Sequence, residues 1–182
     1  MSIATGRYEL GPDDAKLTVH TRKGGAAAKA GHNLTIEVTS WSGALMVDDD
    51  PAATTVELTA DAGSLVVLEG HGGIQALGED EKSSIKQTIT DDILNGGTIA
   101  FHSSSVEPSE NGGPLRVHGE LDLLGNSRPL TFDLEAADDG RLSGVATIKQ
   151  TDFGIKPYSA LFGTLKVLDE VEIQVVGHLP AA

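Results

Sequence analysis

Six histidines and 27 carboxylates are the residues best able to do acid, base or metal chemistry, and their spacing limits what they can do. His20, His102 and His118 share the parity of the polar residues beside them along alternating stretches, so their imidazoles are expected to face water. Zinc needs three or four convergent ligands, and no H-x-x-x-H pair occurs, so no metal site is expected. Glu57, Asp61, Glu120, Asp122, Asp133 and Glu135 also take outward positions and read as a solvated face rather than an acid–base pair. No G-x-S-x-G elbow or G-x-x-x-x-G-K-[ST] loop is present. Cysteine is absent, which excludes a thiolate nucleophile, a disulfide and a Cys-ligated zinc. The expectation is a protein with no catalytic residue and no cofactor.

The charge balance points the same way. With 13 Lys and Arg against 27 Asp and Glu in 182 residues, the net charge is −14, and clustered cations for a nucleic-acid backbone are missing. The length suits one domain, residues 1–182, with a sizeable core. No run of 18 apolar residues occurs. The opening MSIATGRYEL lacks a basic region followed by an apolar one, so cytoplasmic residence is the default expectation.

The elements that must carry any site are strands. Leu115, Val117, Gly119, Leu121 and Leu123 alternate with Arg116, His118, Glu120 and Asp122, and Leu130, Phe132, Leu134 and Ala136 follow a turn at Gly125 and Asn126. Similar alternation holds at Leu17 and Val19, Leu34 to Val38, Val56 to Ala60, Ile99 to Ser103, Leu142 to Ile148 and Val171 to Val175, although Val145 faces the wrong way. This pattern predicts an all-β domain of about eight strands, an antiparallel barrel or a sandwich, with one or two short helices. The helix is expected over residues 78–95, GEDEKSSIKQTITDDILN, with Asp80 and Glu81 at its positive end and Gly96 and Gly97 to stop it. Ile85, Ile89 and Ile93 form one stripe, with Lys82 and Lys86 beside it. Those lysines either snorkel along a barrel rim or meet an anionic head group. LEGHGGIQALG, with Gly70, Gly72 and Gly73, reads as a loop.

Small residues at inward positions (Ala60, Gly119, Ala136, Gly144 and Ala146) and only seven aromatics point to a barrel with an apolar lumen that its own side chains do not fill. The lining expected is Val19, Ile36, Leu58, Ile99, Phe101, Leu121, Phe132 and Ile148, with Phe153, Tyr158 and Phe162 either lining the entrance or capping the barrel's end. A packed sandwich, in which Gly119 and Gly144 only ease strand curvature, is the alternative.

HGELDLLGNSRPLTFDLEA (118–136) resembles the G-x-L hairpin of the YceI-like, polyisoprenoid-binding family. IKQTDFGI, DDILNGGTIAFHSSSVE and SWSGALMVD resemble further segments of that family in the same order. The residues carrying the likeness are Gly119, Leu121, Gly125, Phe132, Asp152, Phe153, Gly154 and Ile155. The resemblance implies a lipocalin-like antiparallel barrel around a long isoprenoid or other lipid, often in a homodimer. Two family features are replaced here. The Arg-Asp-x-His-Leu run at the helix start gives way to Glu79, Asp80, Glu81 and Lys82, and a His-Ser pair gives way to Ala15 and Lys16. The expected function is binding or carrying a long apolar ligand, such as a polyisoprenoid or isoprenoid quinone. A small lipocalin-like enzyme or a packed structural module is the other reading.

Overall fold

A computed structural model describes residues 3–109 and 113–180. Its main sheet is antiparallel and contains eleven strand segments in the order β1 (Gly6–Leu10), β5 (Trp41–Val47), β6 (Thr55–Asp61), β8 (Thr98–Pro108), β9 (Leu115–Leu123), β10 (Asn126–Ala136), β11 (Arg141–Lys149), β14 (Glu170–His178), β2 (Ala15–Thr21), β4 (His32–Val38) and β7 (Leu65–Gly72). Segments outnumber the expected eight because three long strands bend. Leu10 lies opposite Gly43 while Leu17 lies opposite Val38, so β1 and β2 run on along one β4–β5 strand. Likewise Trp41 opposes Ala60 and Val38 opposes Leu65, so β6 and β7 are two halves of its other neighbour. At that second bend the Thr39 amide donates to the Ser64 carbonyl (3.1 Å) and the Asp61 amide to the Ser40 carbonyl (3.0 Å), which carries the pairing round the corner. Counted as continuous strands, eight close a ring through the β2–β14 and β6–β8 ladders. The sheet is therefore a curled barrel rather than a two-sheet sandwich.

Alternation sets the inner face. Along β9 Leu115, Val117, Gly119, Leu121 and Leu123 are buried, while Arg116 and Glu120 are exposed. Val145 points out, as its parity requires, and stands 48% exposed. A bulge between Ser103 and Ser105 in β8 reverses parity and turns Val106 into the core, which strict alternation from Ile99 does not anticipate. The β9–β10 turn is Leu124-Gly125, one residue earlier than the sequence suggested. Both residues have positive φ (57° and 74°), the geometry of a two-residue hairpin that matches strand twist.

Of the LEGHGGIQALG segment expected as a loop, residues 68–72 are instead the end of β7, and residues 73–78 are the loop. Its glycines serve packing: a Cβ on Gly70 would meet Leu77, which folds back over the strand. Helix α1 (Glu79–Gln87) follows, continued by a wider π turn over Thr88–Ile93, and it lies beside β7. Its start is fixed by the Glu81 carboxylate, which accepts the Gly78 amide at 2.7 Å. Ile85, Ile89 and Ile93 pack against the core as their stripe predicts, and the segment stops where Asn95 and Gly96 turn left-handed.

A second, three-stranded sheet forms from β12 (Ser159–Ala160), β13 (Leu165–Val167) and β3 (Lys23–Gly24). It joins the connection after β11 to the connection after β2. Strand direction places both at the barrel end that also carries α1 and the Leu124-Gly125 turn. No helix among the described residues is long and apolar enough to cross a membrane.

Candidate functional site

An apolar hollow of about 170 Å³ lies inside the barrel, lined by inner-face side chains from β1, β2, β4, β5, β6, β8, β9, β10, β11 and β14. Val19, Leu58, Ile99, Phe101, Leu121 and Phe132, all expected on the lining, are there. Of these, Phe101 and Leu121 are buried, whereas Val19, Leu58, Ile99 and Phe132 are only half-buried although their strand positions point inward. An inward side chain that keeps accessible surface faces space that the protein does not fill.

The hollow is smaller than small inward residues alone suggest. Much of the room beside Gly119 is taken by its neighbour: a Cβ there would run into the Phe101 ring and the His102 carbonyl. At Gly144 a Cβ would press on Leu134 and Val175. Phe101 and Phe132 then meet edge-to-face across the interior, centroids 5.3 Å apart at 62°. Glycine here admits large partners as well as leaving space.

Other expected lining residues lie elsewhere. Ile36, Ile148 and Phe153 belong to the packed core and do not line the hollow. Phe153 is held by the short 3-10 turn Gln150–Phe153, whose closing carbonyl accepts the Asn126 side-chain amide at 3.1 Å. Tyr158 and Phe162 do not reach the interior, being 51% and 109% exposed. Periodicity could not show this, because both sit in a loop whose backbone turns left-handed at Leu161 and Phe162. Of the helix lysines, Lys82 is paired with Glu79 (2.8 Å), while Lys86 is exposed.

Trp41 was not picked out by alternation. It sits at the bend between β4 and β5, lines the hollow, and its indole Nε1 has no hydrogen-bond partner. It is also the only tryptophan in the chain.

The chemistry around the hollow is sparse. Among the described residues Glu57 is the one charged residue beside it, and its carboxylate is 57% exposed, 3.8 Å from His102 on the outer face. His118 is likewise outward, bonded to the Thr131 hydroxyl at 3.0 Å. His20 is half-buried, 3.0 Å from the Thr18 hydroxyl. Among the described residues no group of three or more His, Asp or Glu is placed to hold a metal.

Comparison with known proteins agrees with this architecture. Among solved structures, BcnA of Burkholderia cenocepacia superposes with a TM-score of 0.66 at 20% identity, covering 92% of this chain and 96% of that one. A YceI protein of Campylobacter jejuni superposes with a TM-score of 0.52 at 14% identity, covering 81% and 85%. A mutant of that protein holding a monobromobimane guest gives a TM-score of 0.54 at 14% identity over the same shares. No curated protein sequence matches the chain. The family description that matches is the YceI-like domain, over residues 8–179. This chain, nearly end to end, belongs to the YceI-like family.

Proposed function

We propose that this protein binds and carries a long apolar ligand, a polyisoprenoid, isoprenoid quinone or similar lipid, in the barrel lumen without altering it chemically. The observation that carries the reading is the set of inward but half-buried side chains around an apolar hollow in a barrel. Membership of the YceI-like family supports it. The apolar lining, with the Glu57 carboxylate turned to the outer face, suits a ligand held by burial of its chain.

Magnitudes define how the ligand must sit. At roughly 30 Å³ per water-sized group, 170 Å³ accommodates about six carbons. Burying six methylenes gives on the order of 5 kcal/mol, a dissociation constant near the millimolar range. A chain of tens of carbons therefore engages the hollow as an anchor, and tight binding requires the Phe101–Phe132 pair to swing aside and lengthen the lumen.

Organic extraction and native mass spectrometry of the purified protein test the reading. A co-purified prenyl lipid, lost in Leu121→Arg, is the expected result, and Trp41 fluorescence reports re-binding of a prenyl ketone. If no lipid co-purifies and no prenyl probe shifts Trp41 emission, the lumen is not a binding site.

A further inference from the structure

We propose that the three-stranded sheet and its loops are a docking surface for an anionic lipid bilayer. Residues 22–31 and 153–168, which form this flap, contain Arg22, Lys23, Lys29, Lys156 and Lys166 and not one Asp or Glu. Eight cations are left to face all 27 carboxylates elsewhere in the chain. Arg22, Lys29, Lys156 and Lys166 are exposed and form no ion pair among the described residues. Lys23 donates to the Gly31 carbonyl (2.7 Å) and holds one loop in shape.

The exposed apolar side chains gather at the same end. Phe162 is fully exposed, with Leu161 at 56%, Tyr158 at 51% and Leu168 at 38%, and Ile74 at 81% follows β7 at that end. Only Val145 and Val176, on the outer faces of β11 and β14, are exposed large apolar residues elsewhere among the described residues. Leu161 and Phe162 adopt left-handed backbone, with φ of 51° and 56°, a conformation unfavourable for both residue types. The Thr164 amide and hydroxyl both donate to the Leu161 carbonyl and keep the tip in that form. Within the flap the Ala27 amide reaches the Thr164 carbonyl (2.8 Å) and the Leu168 amide the Arg22 carbonyl (2.8 Å), so the cations and the apolar tip move as one body.

Aromatic and aliphatic side chains among unpaired cations are what an interfacial surface needs: the apolar groups enter the headgroup boundary and the cations meet lipid phosphates. The net charge of −14 does not prevent this, because charges more than about 8 Å away are screened at physiological salt. The same barrel end also carries Glu79, Asp80, Glu81, Asp91 and Asp92 on the helical segment, so the attraction is local to the flap and its apolar tip rather than a property of the whole end. A second copy of the chain offers acidic patches for the cations, but away from this end its exposed large apolar side chains among the described residues are only Val145 and Val176, so a bilayer offers the apolar tip more.

The docking surface stands apart from the lumen reading, and co-sedimentation of the full chain with vesicles separates the two. Binding is expected to vesicles holding about 30% phosphatidylglycerol, to fall steeply at high salt, and to be weak on phosphatidylcholine alone. Phe162→Ser with Leu161→Ser should weaken it at least about tenfold, and Lys156→Gln or Lys166→Gln about fivefold each. Arg141→Gln, at the far end, should leave it unchanged, and Ala146→Leu, which plugs the hollow, should sediment like the parent protein. Failure to bind anionic vesicles, equal binding by the tip variants, or a dimer that the tip variants dissolve would each overturn the proposal.

Discussion

Ala146→Leu probes the hollow most directly. Ala146 lies on the inner face of β11 opposite Ile173, is half-buried, and lines the space. Three added carbons occupy roughly 90 Å³ at the volume of water-sized groups, about half of the 170 Å³ available. At about 24 cal/mol per Å³ of void removed, filling contributes about 2 kcal/mol. For a chain of this length that is a rise in Tm of about 4–8 °C, read by calorimetry on lipid-free protein. The same carbons displace about three methylenes of ligand, a loss of about 2.4 kcal/mol or about fifty-fold in affinity, read by titrating a prenyl ketone against Trp41 emission. Stability and binding must therefore move in opposite directions. A higher Tm with unchanged affinity would place the ligand elsewhere, and a Tm lowered by several degrees would mean that the space is not a void.

Two further outcomes rest on local geometry. Gly119→Val should destabilise the barrel by about 1–3 kcal/mol or more in denaturant titrations, because the new Cβ meets the Phe101 ring and the His102 carbonyl, and equal stability would contradict the close approach. The Asp169 carboxyl, which accepts the Thr151 hydroxyl (2.7 Å) and amide (2.9 Å), is held below the ordinary carboxylate range by those bonds. A depressed folded-state pKa contributes stability above the unfolded value and loses it as pH falls through the folded one. The protection of the Thr151 amide, its exchange rate relative to an unstructured chain at the same pH, should thus hold from neutral pH down to the ordinary carboxylate range and fall in stronger acid. Asp169→Asn should show lowered protection already at neutral pH, and a parent whose protection does not change with pH would refute the link.

Alternation along β8, β9 and β10 was enough to place Phe101, Leu121 and Phe132 on one inner face, since period two fixes facing wherever pairing is unbroken. It failed where pairing breaks. The bulge at Ser103 to Ser105 hides Val106, and Glu69-Gly70-His71-Gly72 carries no alternation although it is strand. Bends at Gly11, at Thr39 and Ser40, and at Ala62 to Ser64 cut continuous strands into pieces, which separates the segment count from the true number around the ring. The size of the hollow was not legible, because whether Gly119 leaves space depends on the rotamer of Phe101 on a neighbouring strand. Nor was the fate of Tyr158 and Phe162, decided by two left-handed residues in a loop. Nor was the company of Lys156 with Arg22 and Lys29 legible, since it needs the β3–β13 pairing, over a hundred residues apart in sequence.

Helix α1 beside β7 has a mechanical meaning. Around most of the ring the wall is stitched by backbone hydrogen bonds, but among the described residues the far side of β7 has no ladder, and α1 lies beside it with Ile85 and Leu77 packed against the core. That flank is held by dispersion contacts and by the bond of 2.8 Å between the His32 ring and the Gln75 carbonyl, whereas parting any two paired strands breaks several ladder bonds at once. That quadrant of the wall is therefore closed by side-chain packing rather than by strand pairing, and a substitution at Ile85 or Leu77 acts on the seal without touching a ladder.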